Sequence, residues 1–152
     1  MRARPLDGLP QRRGAAITGV DRVPEFIDRA RNSYPAVPFE VGSLEALDSP
    51  PRTVGGILSW YSLIHHEPST IRIPLLEFAR VLRPGGALLL GFFEGAAIEK
   101  FAHAVAPAYR WPVNDLSEEL RSAGFDVVET HTRTTTGQRP HAAIIAQHNN
   151  AA

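Results

Sequence analysis

The side chains best suited to chemistry fall at a few places. Asp21 closes an apolar run, AAITGVD, inside the stretch RRGAAITGVDRVPEF. A carboxylate at the tip of a buried strand can accept hydrogen bonds from both hydroxyls of a sugar diol. The bland alternative for Asp21 is a cap on the helix that Pro24 opens. Ser59, Trp60 and Tyr61 close a second apolar run, VGGILSWYSLI, and offer a hydroxyl and two large rings. One of the two rings is expected in the core, because adjacent strand residues face opposite ways. His65 and His66 follow directly. Adjacent histidines chelate poorly and no carboxylate cluster joins them, so no metal site is expected. His65 could act as a general base, although a structural role suits its setting better. Glu94 ends the run ALLLGFFE and reads as a solvated turn residue that could touch a substrate. Phe101, His103, Tyr109 and Trp111 crowd into 95–113, as a mixed apolar pocket or as a helix packed on a sheet.

Composition limits what these groups can serve. The chain has 152 residues, a length suited to one domain with one core. Sixteen Lys and Arg balance sixteen Asp and Glu, which argues against nucleic acid or an anionic membrane as the main partner. There is no cysteine, so disulfides, thiolate metal sites and a cysteine nucleophile are excluded. No apolar run approaches membrane-spanning length, and no apolar segment follows the basic N-terminal residues as a secretory signal would require. A cytoplasmic setting is the default expectation.

The elements that must position these groups alternate in type. Residues 1–13 read as a poorly ordered arm, with 9–14 as the tail of a helix, and 14–148 as the folded domain. Strands are expected over 15–21, 37–42 and from 54 towards 64. A helix is expected from Pro24 to the region of Pro35, and another from near Ile73 to 82. RPGG, 83–86, reads as a stop and turn before the strand 87–94. Residues 96–112 are ambiguous between helix and irregular connector. A helix over 116–123 would take Asn114 or Asp115 as N-cap and Gly124 as C-terminal cap. Glu118 and Glu119 suit its first turn. The runs 126–133 and 141–147 are joined by TTTGQRP, too short for a helical crossover, so they should pair antiparallel. The whole reads as an α/β fold with a mostly parallel sheet and a C-terminal antiparallel hairpin.

The succession GVD, GSL, ILSWYSLIHH and FARVLRPGGALLL resembles the class I S-adenosylmethionine-dependent methyltransferases of the small-molecule type. The resemblance covers roughly 9–147 and is most specific at 78–90. It implies a three-layer Rossmann-like sheet, S-adenosyl-L-methionine as cofactor and a small-molecule substrate. It also implies positions. Asp21 would bind the ribose hydroxyls, and Arg22 would flank the adenine. Ser43 and Leu44 would contact the adenine ring, although Ser43 equally suits a plain turn. Ser59, Trp60 and Tyr61 would open onto the methionine half, and His65 would lie near the transferred methyl. No catalytic side chain is assigned, since methyl transfer from a sulfonium needs alignment more than acid or base.

The family places a first strand and a glycine-rich loop before the strand that ends in the acidic residue. No G-x-G-x-G occurs in these 152 residues. The expected sheet therefore lacks its first strand, which in the family lies between the second and fourth. Unpaired buried groups on those two strands would cost roughly 1–3 kcal/mol each. Direct pairing of the two strands, a second copy of the chain covering the gap, or a start site upstream would each answer this deficit. The last is the expectation, and an in-frame glycine-rich loop upstream would test it. Weak cofactor binding and doubtful activity follow. Two other readings stand beside this one: a non-catalytic fragment or interaction module, and a nicotinamide-dependent oxidoreductase. R-P-G-G before the fifth strand and the terminal hairpin disfavour the latter.

Overall fold

A computed structural model describes residues 16–104 and 106–149. The expected arm at 1–13 and helix tail at 9–14 lie outside them. The described residues divide into two compact units at the boundary between Asp48 and Ser49.

The first unit contains β1 (Gly19–Asp21), α1 (Pro24–Ser33) and β2 (Phe39–Val41). β1 and β2 are parallel, with Gly19 opposite Phe39 and Asp21 opposite Val41. The strand expected over 15–21 is thus only three residues long. Pro38 explains the limit: its carbonyl accepts the Gly19 amide at 2.9 Å, but it has no N–H to extend the ladder. Pro24 opens α1 as the sequence suggests. Ile27 and Ala30, three residues apart on one face of α1, are buried against Val37 and Phe39.

The second unit runs β3 (Val54–Trp60), a 3₁₀ turn at Pro68–Thr70, α2 (Arg72–Val81) and β4 (Leu82–Glu94). β5 (Glu99–His103), β6 (Ala106–Trp111), α3 (Val113–Ser122), β7 (Phe125–Arg133) and β8 (His141–His148) follow. β4 is the hub of a six-stranded sheet. β8 takes one edge of it, antiparallel, from Ala87 to Phe93. β3 takes the other edge, in parallel, as far as Gly91. β6 then continues along that second edge at Phe93 and Glu94. β7 pairs antiparallel with β8, as the short TTTGQRP connection requires. Among the described residues, β1 forms its one ladder with β2 and β3 its one ladder with β4.

Three local expectations are corrected. Residues 96–112 are neither helix nor irregular connector: they form the β5–β6 hairpin, with Glu99 opposite Arg110 and His103 opposite Ala106. Alanine there raises helix propensity, but Pro107 would break a helix at its centre. RPGG does not end the strand. Val54 faces Leu82 and Gly56 faces Ala87, so Arg83–Gly86 bulge out of β4 with Gly85 at φ 81°. Nδ1–H of His148 donates to the Leu82 carbonyl, and the Gln147 amide donates to that of Gly85, which anchors the bulge. Finally, α3 starts after Pro112 and has no side-chain cap, so Asn114 and Asp115 lie within its first turn. Gly124, at φ 100°, follows its end.

β4 separates two environments. Leu88, Leu90 and Phe92 point one way and are at most 3% exposed. Their β8 partners, Ala146, Ile144 and Ala142, are buried too. On α2, Leu75 and Phe78 are also fully buried, and so is Leu120 of α3. Glu77 grips Arg80 with two bonds of 2.7 Å, which raises the guanidinium above its ordinary pKa. The other face carries Gly91 and Phe93. No helix among the described residues is long and apolar enough to cross a membrane.

Candidate functional site

In the first unit, parallel pairing brings Asp21 and the turn at Ser43 to the same end, beyond the carboxyl tips of β1 and β2. Asp21 is 6% exposed. Its Oδ1 accepts the Val23 amide at 2.9 Å, and its carbonyl accepts the Gly42 amide at 3.0 Å. The carboxylate thus holds the first residue before α1, which fixes its position. Arg22 is exposed beside it. Ser43 makes a turn: its Oγ accepts the Glu45 amide at 3.1 Å, and its carbonyl accepts that of Ala46. Leu44 is half-buried in that turn.

In the second unit, Ser59 is 1% exposed, and its hydroxyl bonds that of Ser62, closing the chain after β3. Trp60 lies over Gly91, where an added Cβ would come within 2.5 Å of the indole ring. Tyr61 does not face away from it. At φ 59°, Tyr61 ends the strand alternation, and the two rings meet edge to face at 5.3 Å. Tyr61 is the ring of the pair that packs on a core cluster, that of Ile64, Phe93 and Ala108. The Tyr61 amide still donates to the Gly91 carbonyl at 2.9 Å. His65 is exposed, and its Nδ1–H donates to the Pro107 carbonyl at 2.7 Å. That bond ties the loop after β3 to the hairpin.

Register gathers the remaining rings. Phe93 stands opposite His141 on β8 and opposite Arg110 on β6, and directly opposed residues share a face. On β5, Glu99, Phe101 and His103 alternate onto the same face as Arg110. Phe93 consequently lies 5.3 Å from the His141 ring, 5.4 Å from Phe101 and 5.3 Å from His103. The Tyr61 ring is 5.0 Å from Phe93. Phe93, Gly137, Gln138, Arg139 and His141 line an open cleft of about 660 Å³. It lies where β4 ends and β8 begins, the end of a parallel sheet at which ligands commonly bind. Phe101 and His103 thus belong to a ring cluster, whereas Trp111 is buried and Glu94 half-buried.

Sequence reading did not single out Phe93, Arg139 or His141. Phe93 looked like one more apolar strand residue. His141 opens the run HAAIIAQ, and nothing local distinguishes it. Only the antiparallel register of β8 sets it across from Phe93.

A family model described as a methyltransferase domain matches residues 4–86, more than half of the chain. No curated protein matches. Among solved structures, the chain is similar to a S-adenosylmethionine-dependent methyltransferase of Methanosarcina mazei, at 18% identity and a TM-score of 0.78, over 90% of this chain and 84% of that one. It is similar to the 1,6-didemethyltoxoflavin-N1-methyltransferase of Burkholderia thailandensis, solved with 1,6-didemethyltoxoflavin and S-adenosylhomocysteine, at 24% identity and a TM-score of 0.78. That match spans 94% of this chain and 65% of the other. A third similar structure is a methyltransferase in complex with the Trm112 methyltransferase activator of Haloferax volcanii, at 18% identity and a TM-score of 0.77, over 97% and 78% of the two chains.

Proposed function

This chain belongs to the methyltransferase-domain family, and from that premise we propose that it transfers a methyl group from S-adenosyl-L-methionine to a small molecule. One observation carries the proposal beyond the family match. The buried Asp21 carboxylate stands at the carboxyl tip of β1, held there by the Val23 amide, beside the turn of Ser43 and Leu44. That arrangement fits an adenosine: a carboxylate for the ribose hydroxyls, and an apolar side chain with polar backbone for the base. Asp21, Arg22, Ser43 and Leu44 would hold that half of the cofactor. When bound, S-adenosylmethionine supplies an electrophilic methyl group on a sulfonium sulfur. The chain's own part is to fix the acceptor in line with that methyl, for which alignment is the main source of rate.

The small-molecule acceptor is supported by the open cleft at the tip of β4, in whose wall Phe93, Arg139 and His141 meet. The toxoflavin enzyme, which the chain resembles in fold, was solved with the small molecule 1,6-didemethyltoxoflavin bound. No G-x-G-x-G segment occurs in these 152 residues, and the proposal includes weak cofactor affinity.

Calorimetric titration with S-adenosylhomocysteine tests both parts. Binding weaker than about 10 μM is expected for the wild type, with a further loss of about tenfold in Asp21→Asn. No binding at millimolar ligand would overturn the cofactor. Low-micromolar binding would overturn the weakness, and an unaffected Asp21→Asn variant would remove Asp21 from the site.

A further inference from the structure

We infer that the cleft at the tip of β4 binds a planar aromatic acid, its ring against Phe93 and His141 and its carboxylate on Arg139. This deepens the methyltransferase reading, on which it rests, by naming the acceptor class.

The ring follows from the walls. Phe93 and His141 lie 5.3 Å apart with their planes inclined at 42°, and both line the cleft. Phe93 is 8% exposed, so His141 is the more accessible of the two rings, and aromatic side chains in the wall of an open cleft favour a flat ligand over an aliphatic one. Gly137 and Gln138 supply the rest of the lining without large apolar bulk.

The charge follows from two guanidinium groups. Arg139 lies 4.7 Å from the Phe101 ring centre, and Arg110 lies 4.8 Å from the same centre. Neither has a carboxylate partner among the described residues. Among the described residues, Arg139 makes one long 3.4 Å bond, to the Ala102 carbonyl, which leaves most of its donors for a ligand. The Nε of Arg110 is buried and has no acceptor among the described residues. Glu99 stands across the hairpin from Arg110, yet no ion pair joins them. Arg139 is the cation in the cleft wall, and a planar guanidinium pairs best with a carboxylate.

A polar end of the ligand has a partner as well. Nδ1 of His141 is engaged by the Tyr61 phenol at 2.5 Å. That bond orients the imidazole and leaves Nε2 as the nitrogen that can meet a ring hydroxyl or ring nitrogen of the acceptor.

The test is a titration of the whole chain with 4-hydroxybenzoate, read by calorimetry and by the NMR ring signals of His141, assigned with His141→Gln. The neutral 4-hydroxybenzamide, acetate and inorganic phosphate are titrated in parallel. The acid should bind about tenfold more tightly than the amide, and Arg139→Ala should erase that preference. Arg139→Lys should restore part of it. Arg139 is exposed, so its variants should keep the wild-type circular dichroism. Equal binding of acid and amide would overturn the inference. So would an Arg139→Ala variant that binds like the wild type, no binding of the acid at tens of millimolar, or phosphate or acetate competing as well as the aromatic acid. None of these titrations contains S-adenosylmethionine. The methyltransferase reading can therefore fail in its own titration while this one succeeds, and the reverse.

Discussion

The Tyr61 phenol oxygen lies 2.5 Å from Nδ1 of His141, although 80 residues of chain separate the two. Their rings also meet edge to face, with centres 5.6 Å apart. One bond thus ties the end of β3 to the start of β8, on either side of β4.

Replacing Tyr61 by Phe keeps the ring contact and removes the bond. The expected cost is about 1 kcal/mol, a fall in melting temperature of a few degrees by calorimetry. In a double-mutant cycle with His141→Phe, the two changes should be non-additive by at least about 0.5 kcal/mol. Additive losses would show that the bond contributes nothing in solution.

Gly91→Ala puts a methyl group within 2.5–2.9 Å of three indole carbons of Trp60. The ring must move or β3 must part from β4. Destabilisation of about 1–3 kcal/mol is expected in urea unfolding, with a changed tryptophan emission in the folded state. Unchanged emission and stability would place the ring elsewhere.

Leu90 stands opposite Ile144 on the face away from the cleft, and both are at most 1% exposed. Leu90→Ala should cost about 2–5 kcal/mol through lost burial and a residual cavity. Its next neighbours along β4, Gly91 and Leu89, face the other side, so the ring cluster should survive in whatever fraction stays folded.

Asp21 has a structural task separable from ligand binding. Asp21→Asn keeps a side-chain oxygen for the Val23 amide and should change stability by less than about 0.5 kcal/mol. Asp21→Ala removes that acceptor and should cost about 1 kcal/mol in urea unfolding. Equal stability of the two variants would mean that the Val23 bond adds nothing to the fold.

Much of the fold was legible because local patterns are strong. Alternating apolar runs and amphipathic segments fix strand and helix positions through periods of 2 and 3.6. TTTGQRP forbids a helical crossover by length alone. The carboxylate at the end of GVD was readable for the same reason: a strand's last residue sits at the tip of its sheet whatever the neighbouring strands are. The β5–β6 hairpin was not readable, since alanine-rich composition favours a helix locally and only pairing with β4 overrides it.

The sequence by itself determined which residues alternate, that three amphipathic helices form and that an acid would stand at the tip of β1. It could not determine which side chains from distant segments share a face. Phe93, Arg110 and His141 meet because three ladders converge on the end of β4, and Tyr61 joins them because its backbone leaves the strand at positive φ. Strand register is a long-range choice: slipping one residue would send every one of those rings to the opposite side of the sheet. That choice is made by the packing of the whole sheet, and so only the tertiary structure reveals the cleft.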